Sequence, residues 1–169
     1  MAQIPFGDLP DHGRLWVFPS DRTLSDREAE IVMGTVNSFL DTWAAHGVPL
    51  RCAAELRENQ FLLIGVDIDF ELPSGCSIDS LVNQLRNVST DIGVSVVDHT
   101  PVWYRDGAEI HAVSRVEFRE MAEAGTVTST TKVFDCSLTT VHQLRDGHLE
   151  RPASASWHGR VFFRDRMTA

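Results

Sequence analysis

The apolar run Phe-Leu-Leu-Ile-Gly-Val at residues 61–66 constrains the fold of this chain more than any other segment. Because no polar side chain interrupts it, the run predicts a central β-strand that is covered on both faces. Residues 50–57 alternate instead, with apolar side chains on one side and charged ones on the other, which predicts a half-buried strand. Between the two segments, Asn59-Gln60 predicts a tight turn.

Two amphipathic segments flank these strands and predict helices. The first has a Ser25–Glu28 capping box, and its apolar stripe runs to Gly47, which fits the position just after a helix. The second is predicted to begin at the N-cap Ser77, with Asp79 in its first turn, and to end near Gly93.

The order of these elements predicts the fold class. A strand at residues 14–18 precedes the first helix, and extended residues follow Gly93. The resulting order is strand, helix, strand, strand, helix, strand, which is the β-α-β-β-α-β order of a ferredoxin-like α+β fold. We therefore expect an antiparallel sheet of four strands with two helices on one face.

The second part of the chain predicts additions to this sheet. Asp106-Gly107 predicts a hairpin over residues 101–113 that extends the sheet. Residues 114–165 predict a C-terminal extension of short helices, starting at a second S-x-x-E box. We expect an N-terminal arm at 1–13 and a single domain at 14–165, with its ferredoxin-like part at 14–113.

The charge is spread unevenly and excludes some function classes. Residues 1–100 hold 15 acidic and 6 basic side chains, residues 101–169 hold nine of each, and the net charge is −9. Such a chain repels phosphate backbones, so we expect no nucleic-acid partner. Since Lys132 is the only lysine in the sequence, Schiff-base and P-loop lysine chemistry have almost no candidate.

Other patterns bear on the compartment. No run of about eighteen apolar residues predicts a membrane span, and the start MAQIPFGDLPDHGR lacks the pattern of a signal peptide. The three cysteines, Cys52, Cys76 and Cys136, are widely spaced and include no C-x-x-C pair, which disfavours disulfides and zinc. We expect a cytoplasmic protein.

The segment LPSGCSIDSLVNQL contains the main candidate site. Cys76 lies at the predicted start of the second helix, where the helix dipole favours a thiolate. The small residues Ser74, Gly75 and Ser77 leave room for a ligand, and Asp79 lies beside them. Three readings stay open: a packed turn, a contact to an anion or other ligand, and a nucleophile whose base comes from elsewhere in the fold.

Two further sets of polar residues are candidates. Asp67, Asp69 and Glu71 alternate after the central strand, so they are either a cation or acid/base site or a solvated strand exit. His46 is expected at a helix end, where its charge favours the dipole.

The segment SASWHGR near the C-terminus groups a serine, a histidine and an arginine around Trp157. It predicts an anchoring tryptophan beside a surface Arg160, with a catalytic Ser156 or His158 as the alternative. We expect no metal and no cofactor, because no H-x-x-x-H, P-loop or G-x-G-x-x-G motif is present.

The segments FLDTWAAHG, ELRENQFLLIGVD, SGCSID and Ser-Trp-His-Gly-Arg resemble a family of short bacterial proteins often labelled "ABC transporter ATPase". The resemblance covers most of residues 14–162. The label implies a P-loop, which this chain lacks, so the resemblance implies no nucleotide hydrolysis and no mechanism. The positions that match the family pattern are Trp43, His46, Glu55, Asp67, Cys76, Asp79, Trp157 and Arg160.

These observations predict a soluble accessory subunit more than an enzyme. The sequence shows no complete set of catalytic residues, and the uneven charge suits oriented docking on a larger protein assembly. A membrane-bound complex is one candidate partner, with the chain attached peripherally. The alternatives are a Cys76-dependent enzyme for acyl or thiol transfer and a small-molecule or anion sensor that uses residues 74–79.

Overall fold

A computed structural model describes residues 3–164 of the chain. Its helices are α1 (Asp26–Leu40), α2 (Gly75–Ile92), α3 (Arg115–Glu123), α4 (Val141–Arg145) and α5 (Trp157–Phe162). Its strands are β1 (Arg14–Pro19), β2 (Ala44–Ala45), β3 (Val48–Pro49), β4 (Cys52–Arg57), β5 (Phe61–Val66), β6 (Val102–Asp106), β7 (Glu109–Val113), β8 (Lys132–Phe134) and β9 (Glu150–Pro152). The α+β class is confirmed, and the paired strands are antiparallel.

Strand β5 is the centre of the first sheet, as predicted. The sheet has the order β1-β5-β4, and all six residues of β5 are buried. Leu62, Ile64 and Val66 face the core formed with α1 and α2, whereas Phe61 and Leu63 face a second core with Trp103 and Phe134. The run is apolar throughout because each of its faces packs into a different core.

The ferredoxin-like topology is not confirmed, because the expected fourth strand is missing. Residues 94–97 form no strand, although Val94 and Val96 are buried in the core beside α2. The backbone N–H of Val96 donates to the Ser89 hydroxyl instead of to a neighbouring strand. The free edge of β1 meets residues 139–140, where Leu15 N–H donates to the Thr139 carbonyl.

The hairpin at 101–113 forms as predicted, but it does not extend the first sheet. Its two strands belong to a second sheet with the order β7-β6-β8-β9. Gly107 has a φ of 61°, which the tight turn between β6 and β7 requires. The C-terminal part is therefore more than a helical extension, since β8 and β9 complete this sheet while Phe118, Phe162 and Phe163 pack a third core.

Helix α1 is shorter than predicted. Its Ser25–Glu28 capping box is present, but the helix ends at Leu40 and the chain then forms the small hairpin β2–β3. His46 and Gly47, with φ of 53° and 77°, make the turn of that hairpin, so His46 does not close a helix. Trp43 is almost fully buried and donates its Nε1–H to the Ser77 carbonyl at 2.8 Å, a tertiary contact that competes with the helix.

The turn before β5 also differs from the prediction by one residue. Glu58 and Asn59 have positive φ, and Gln60 N–H closes the turn onto the Arg57 carbonyl. Asparagine tolerates the left-handed conformation, and Glu58 adopts it as well because the register of β4 and β5 leaves only the three residues 58–60 to reverse the chain.

Residues 3–13 contact the first sheet. Ile4 N–H donates to the Cys52 carbonyl at 2.8 Å, and the buried Leu9 side chain lies over Gly65. The division into an arm at 1–13 and a domain at 14–165 stays a prediction, and residues 1, 2 and 165 lie outside the described part. Among residues 3–164, none of the helices has the length and apolar character that crossing a membrane requires.

We expect Gly13→Ala to destabilise the fold. A Cβ at this position would lie 2.9 Å from the Pro10 carbonyl oxygen and 3.0 Å from that of Val66, and backbone cannot give way easily. The expected loss in the free energy of unfolding is about 1–3 kcal/mol, measured by urea denaturation. Gly7→Ala is the matched control, since no atom lies within 4 Å of its Cβ. Equal stability of the two variants would contradict the packing described here.

Candidate functional site

The start of α2 lies three residues earlier than predicted. Ser74, not Ser77, is the N-cap, and the two serines form a reciprocal capping box. Ser77 N–H donates to the Ser74 hydroxyl at 3.1 Å, and Ser74 N–H donates to the Ser77 hydroxyl at 2.7 Å. Cys76 is therefore the second residue of the helix, and Asp79 lies beyond its first turn.

Several predicted site residues meet in an open surface depression at this helix start. Cys76 is exposed there, and Ser74, Gly75 and Ser77 share the depression with His46, which the β2–β3 turn brings in. Among residues 3–164, no hydrogen bond joins the Cys76 thiol to His46 or to a carboxylate. The depression thus gathers the expected side chains without a base in contact with the thiol.

The acidic residues after β5 contact different partners. Asp67 lies 3.6 Å from Arg51, and Asp69 lies 2.6 Å from the ring of His12. The Glu71 carboxylate accepts the backbone N–H of Leu72. Within residues 3–164 no group of three His, Cys, Asp or Glu side chains could hold a metal ion. The carboxylates of Asp67 and Asp69 thus contact basic side chains, and both readings of these carboxylates stay predictions.

The remaining predicted residues lie elsewhere. Trp157 opens α5 and lines a second cavity, whereas Arg160 on the same helix is exposed. The structure therefore places the predicted residues at the start of α2, at the end of β5 and on α5.

The second cavity has a volume of about 300 Å³. It lies between the second sheet, which contributes Trp103 and Phe134, and the start of α5. Its wall also includes His99, whose Nε2–H donates to the Val17 carbonyl at 2.7 Å and so fixes residues 98–101 against β1. The cavity is mostly apolar and carries a few polar groups, as small-molecule sites usually are.

His158 is the most deeply buried polar group in this wall. Its side chain is 1% exposed, stacks on Trp157 at a ring distance of 3.8 Å, and pairs through Nδ1 with the Ser156 hydroxyl at 2.8 Å. Burial lowers the pKa of His158 to about 4; Asp135 opposes this shift, and Arg115 and Arg151 add to it. The imidazole is therefore neutral near pH 7, and Ser156 sets the orientation of its ring.

Cys136 lies in the same wall as an unreactive thiol. Burial raises the pKa of Cys136, and the nearby Asp135 carboxylate raises it further. Asp135 itself is buried and accepts both the backbone N–H and the hydroxyl of Ser137. The protonated thiol is a weak nucleophile.

Sequence reasoning missed most of this cavity. Trp103, Arg115 and Phe134 were not singled out, because they come from separate elements that only the fold brings together. The one available signal was the grouping of Ser156 and His158 around Trp157.

No family model matches the chain, and no match was found among curated proteins or among solved structures. The resemblance to the short bacterial family stays a prediction.

We expect iodoacetamide to modify one of the three thiols in the native protein at mildly alkaline pH. Cys76 is exposed, whereas Cys52 is fully buried with its pKa raised to about 12, and the pKa of Cys136 is raised as well. Mass spectrometry should find a single adduct at Cys76, none in Cys76→Ser, and three in urea. Rapid native labelling of Cys52 would contradict its burial, and rapid labelling of the partly buried Cys136 would contradict its raised pKa.

His158 makes the stability fall with acid. Its pKa is lowered on folding from 6.5 to about 4, so its contribution is complete above about pH 6.5 and is lost as the pH falls toward 4. The expected loss is about 1.4 kcal/mol per pH unit in this window, since unfolding then takes up one proton. Urea denaturation at pH 7 and pH 5 measures it, and His158→Gln should flatten the dependence. An unchanged slope in that variant would assign the effect to other groups.

Proposed function

We propose that the chain is a non-enzymatic interaction subunit that docks on a larger protein assembly through the loop at residues 67–74. The observation that carries the proposal is the exposure of Phe70 and Leu72 on this loop, where 59% and 62% of each residue is open to solvent. Large apolar side chains presented together on a surface are typical of protein-binding sites.

The charges around the loop indicate what the partner offers. Asp69 and Glu71 alternate with the two apolar residues, and the first hundred residues carry the whole excess of negative charge. The partner surface that fits is an apolar pocket for Phe70 and Leu72 with arginine or lysine on its rim. Complementary charge of this kind speeds encounter and fixes orientation.

The neighbouring surface enlarges the contact. The loop runs directly into Ser74, so the depression that contains His46 and Cys76 adjoins it. A specific interface usually buries at least about 1,000 Å² in total, which a loop alone does not provide. Under this proposal the start of α2 and the β2–β3 hairpin form the rest of the docking surface.

The two alternatives have less support. A Cys76-dependent transferase needs a base beside the thiol, and no base in residues 3–164 is hydrogen-bonded to it. For a sensor at residues 74–79, the capping box already uses the Ser77 N–H and the Ser74 N–H, which leaves fewer backbone donors for a ligand.

We expect Phe70→Ser/Leu72→Ser to abolish docking without unfolding the chain, because both side chains already face water. The partner is first identified by photo-crosslinking from position 70 in the native cells, and is then purified for calorimetry. Losing two anchor residues should weaken binding by at least about 30-fold, which corresponds to about 2 kcal/mol or more.

The matched control is Val116→Ser/Val161→Ser, which removes two exposed apolar side chains from α3 and α5. This variant should bind the partner as tightly as the native chain does. Equal weakening by both pairs, or a native chain that runs as a free monomer in gently lysed cells, would refute the proposal.

A further inference from the structure

The cavity beside α5 has a positive mouth in an acidic protein. Arg115 is the only permanently charged side chain in its wall within residues 3–164, and the wall contains no carboxylate. The chain as a whole carries a net charge of −9. The Asp135 carboxylate is buried behind the wall and acts on His158 and Cys136, whereas the Arg115 guanidinium is exposed at the mouth and favours an anion there.

The guanidinium of Arg115 is available to a ligand. It stacks over the Trp157 ring at 5.1 Å and is exposed, and no ion pair or hydrogen bond engages it among residues 3–164. Stacking fixes the plane of the group and leaves its N–H donors free, which suits bidentate pairing with a carboxylate.

The apolar walls are flat and held in place. Trp103 donates its Nε1–H to the Ser20 carbonyl at 2.9 Å, and Phe134 stacks on Phe61 at 4.5 Å. Trp157 is held between its stacked neighbours, His158 and Arg115. These rings and a volume of about 300 Å³ fit a ligand with one or two aromatic rings.

His158 has one ring nitrogen that no hydrogen bond within residues 3–164 engages. Ser156 occupies Nδ1 of His158, and no group in residues 3–164 bonds its Nε2. Because His158 lines the cavity, a polar atom of a ligand there would bond this nitrogen in place of water. The neutral ring can bond a ligand hydroxyl in either tautomer, because Nε2 donates in one and accepts in the other.

We propose that this cavity binds a small aromatic carboxylate that carries a hydroxyl group. The aromatic ring packs against Trp103, Phe134 and Trp157, and the carboxylate pairs with Arg115 at the mouth. The hydroxyl bonds Nε2 of His158 in the interior. The site is separate from the loop at residues 67–74 and does not depend on the docking proposed for it.

The test uses 4-hydroxyphenylacetate as the probe and the full chain in ¹H–¹⁵N spectra. As the probe concentration rises, the indole N–H signals of Trp103 and Trp157 should shift and reach a plateau. Those of Trp16 and Trp43, which do not line the cavity, should stay in place. The neutral 4-hydroxyphenylacetamide should bind at least about tenfold more weakly, because it lacks the charge-assisted pair with Arg115. Phenylacetate should also bind more weakly, since it leaves Nε2 without a partner.

Two arginine variants separate this site from general charge effects. Arg115→Gln should weaken binding of the probe by about tenfold or more, because it removes one charge-assisted contact. Arg119→Gln is the matched control: Arg119 is on the same helix and stacks on Phe162 at 5.3 Å, but it does not line the cavity. The Arg119→Gln variant should bind the probe as tightly as the native chain does.

Three results would overturn the proposal. The first is the absence of a saturable shift at millimolar probe, and the second is equal affinity for the acid and the amide. The third is equal weakening by both arginine variants. If phenylacetate bound as tightly as the hydroxylated probe, the contact assigned to His158 would be wrong. None of these results bears on docking by the loop, so the two proposals fail independently.

Discussion

The burial of β5 on both faces is the constraint on which the rest of the structure depends. Alternate side chains of one strand serve two cores: Leu62 and Ile64 pack beneath α1 and α2, while Phe61 and Leu63 pack toward the second sheet. Each fully buried side chain of this size contributes about 1.5–3 kcal/mol, so neither layer can form its core without this strand. The second sheet is attached to the first through that shared wall.

Strand β5 positions both candidate surfaces. Phe61 stacks on Phe134, and Phe134 lines the cavity beside α5, so the core sets the floor of the proposed ligand site. At its other end β5 leads into the loop at residues 67–74 and on to α2. The proposed docking loop and the proposed ligand cavity thus belong to opposite ends of one strand and to different layers.

Electrostatics differ between these two surfaces for a physical reason. In the proposed docking loop the Asp69 side chain is exposed at the surface, where it pairs with the His12 ring. In the cavity beside α5, burial lowers the pKa of His158 and raises that of Cys136, while the exposed Arg115 carries the charge at the mouth. The two places also differ in their nucleophiles: within residues 3–164 no base is hydrogen-bonded to the exposed Cys76 thiol, whereas the buried Ser156 hydroxyl contacts His158 Nδ1 at 2.8 Å.

The sequence by itself determined the features that a few neighbouring residues encode. The Ser25–Glu28 box, the glycine that ends α2, the Asp106-Gly107 turn and the two-sided burial of β5 were all predicted, because each depends on local backbone preference or on hydrophobic pattern. Where a local pattern conflicted with a long-range contact, only the tertiary structure decided the outcome. The burial of Trp43 against α2 ended α1 early, and the bond from Val96 to Ser89 replaced a fourth strand. The cavity wall joins His99, Arg115 and His158 across distant parts of the chain, and no local pattern specifies contacts of that range.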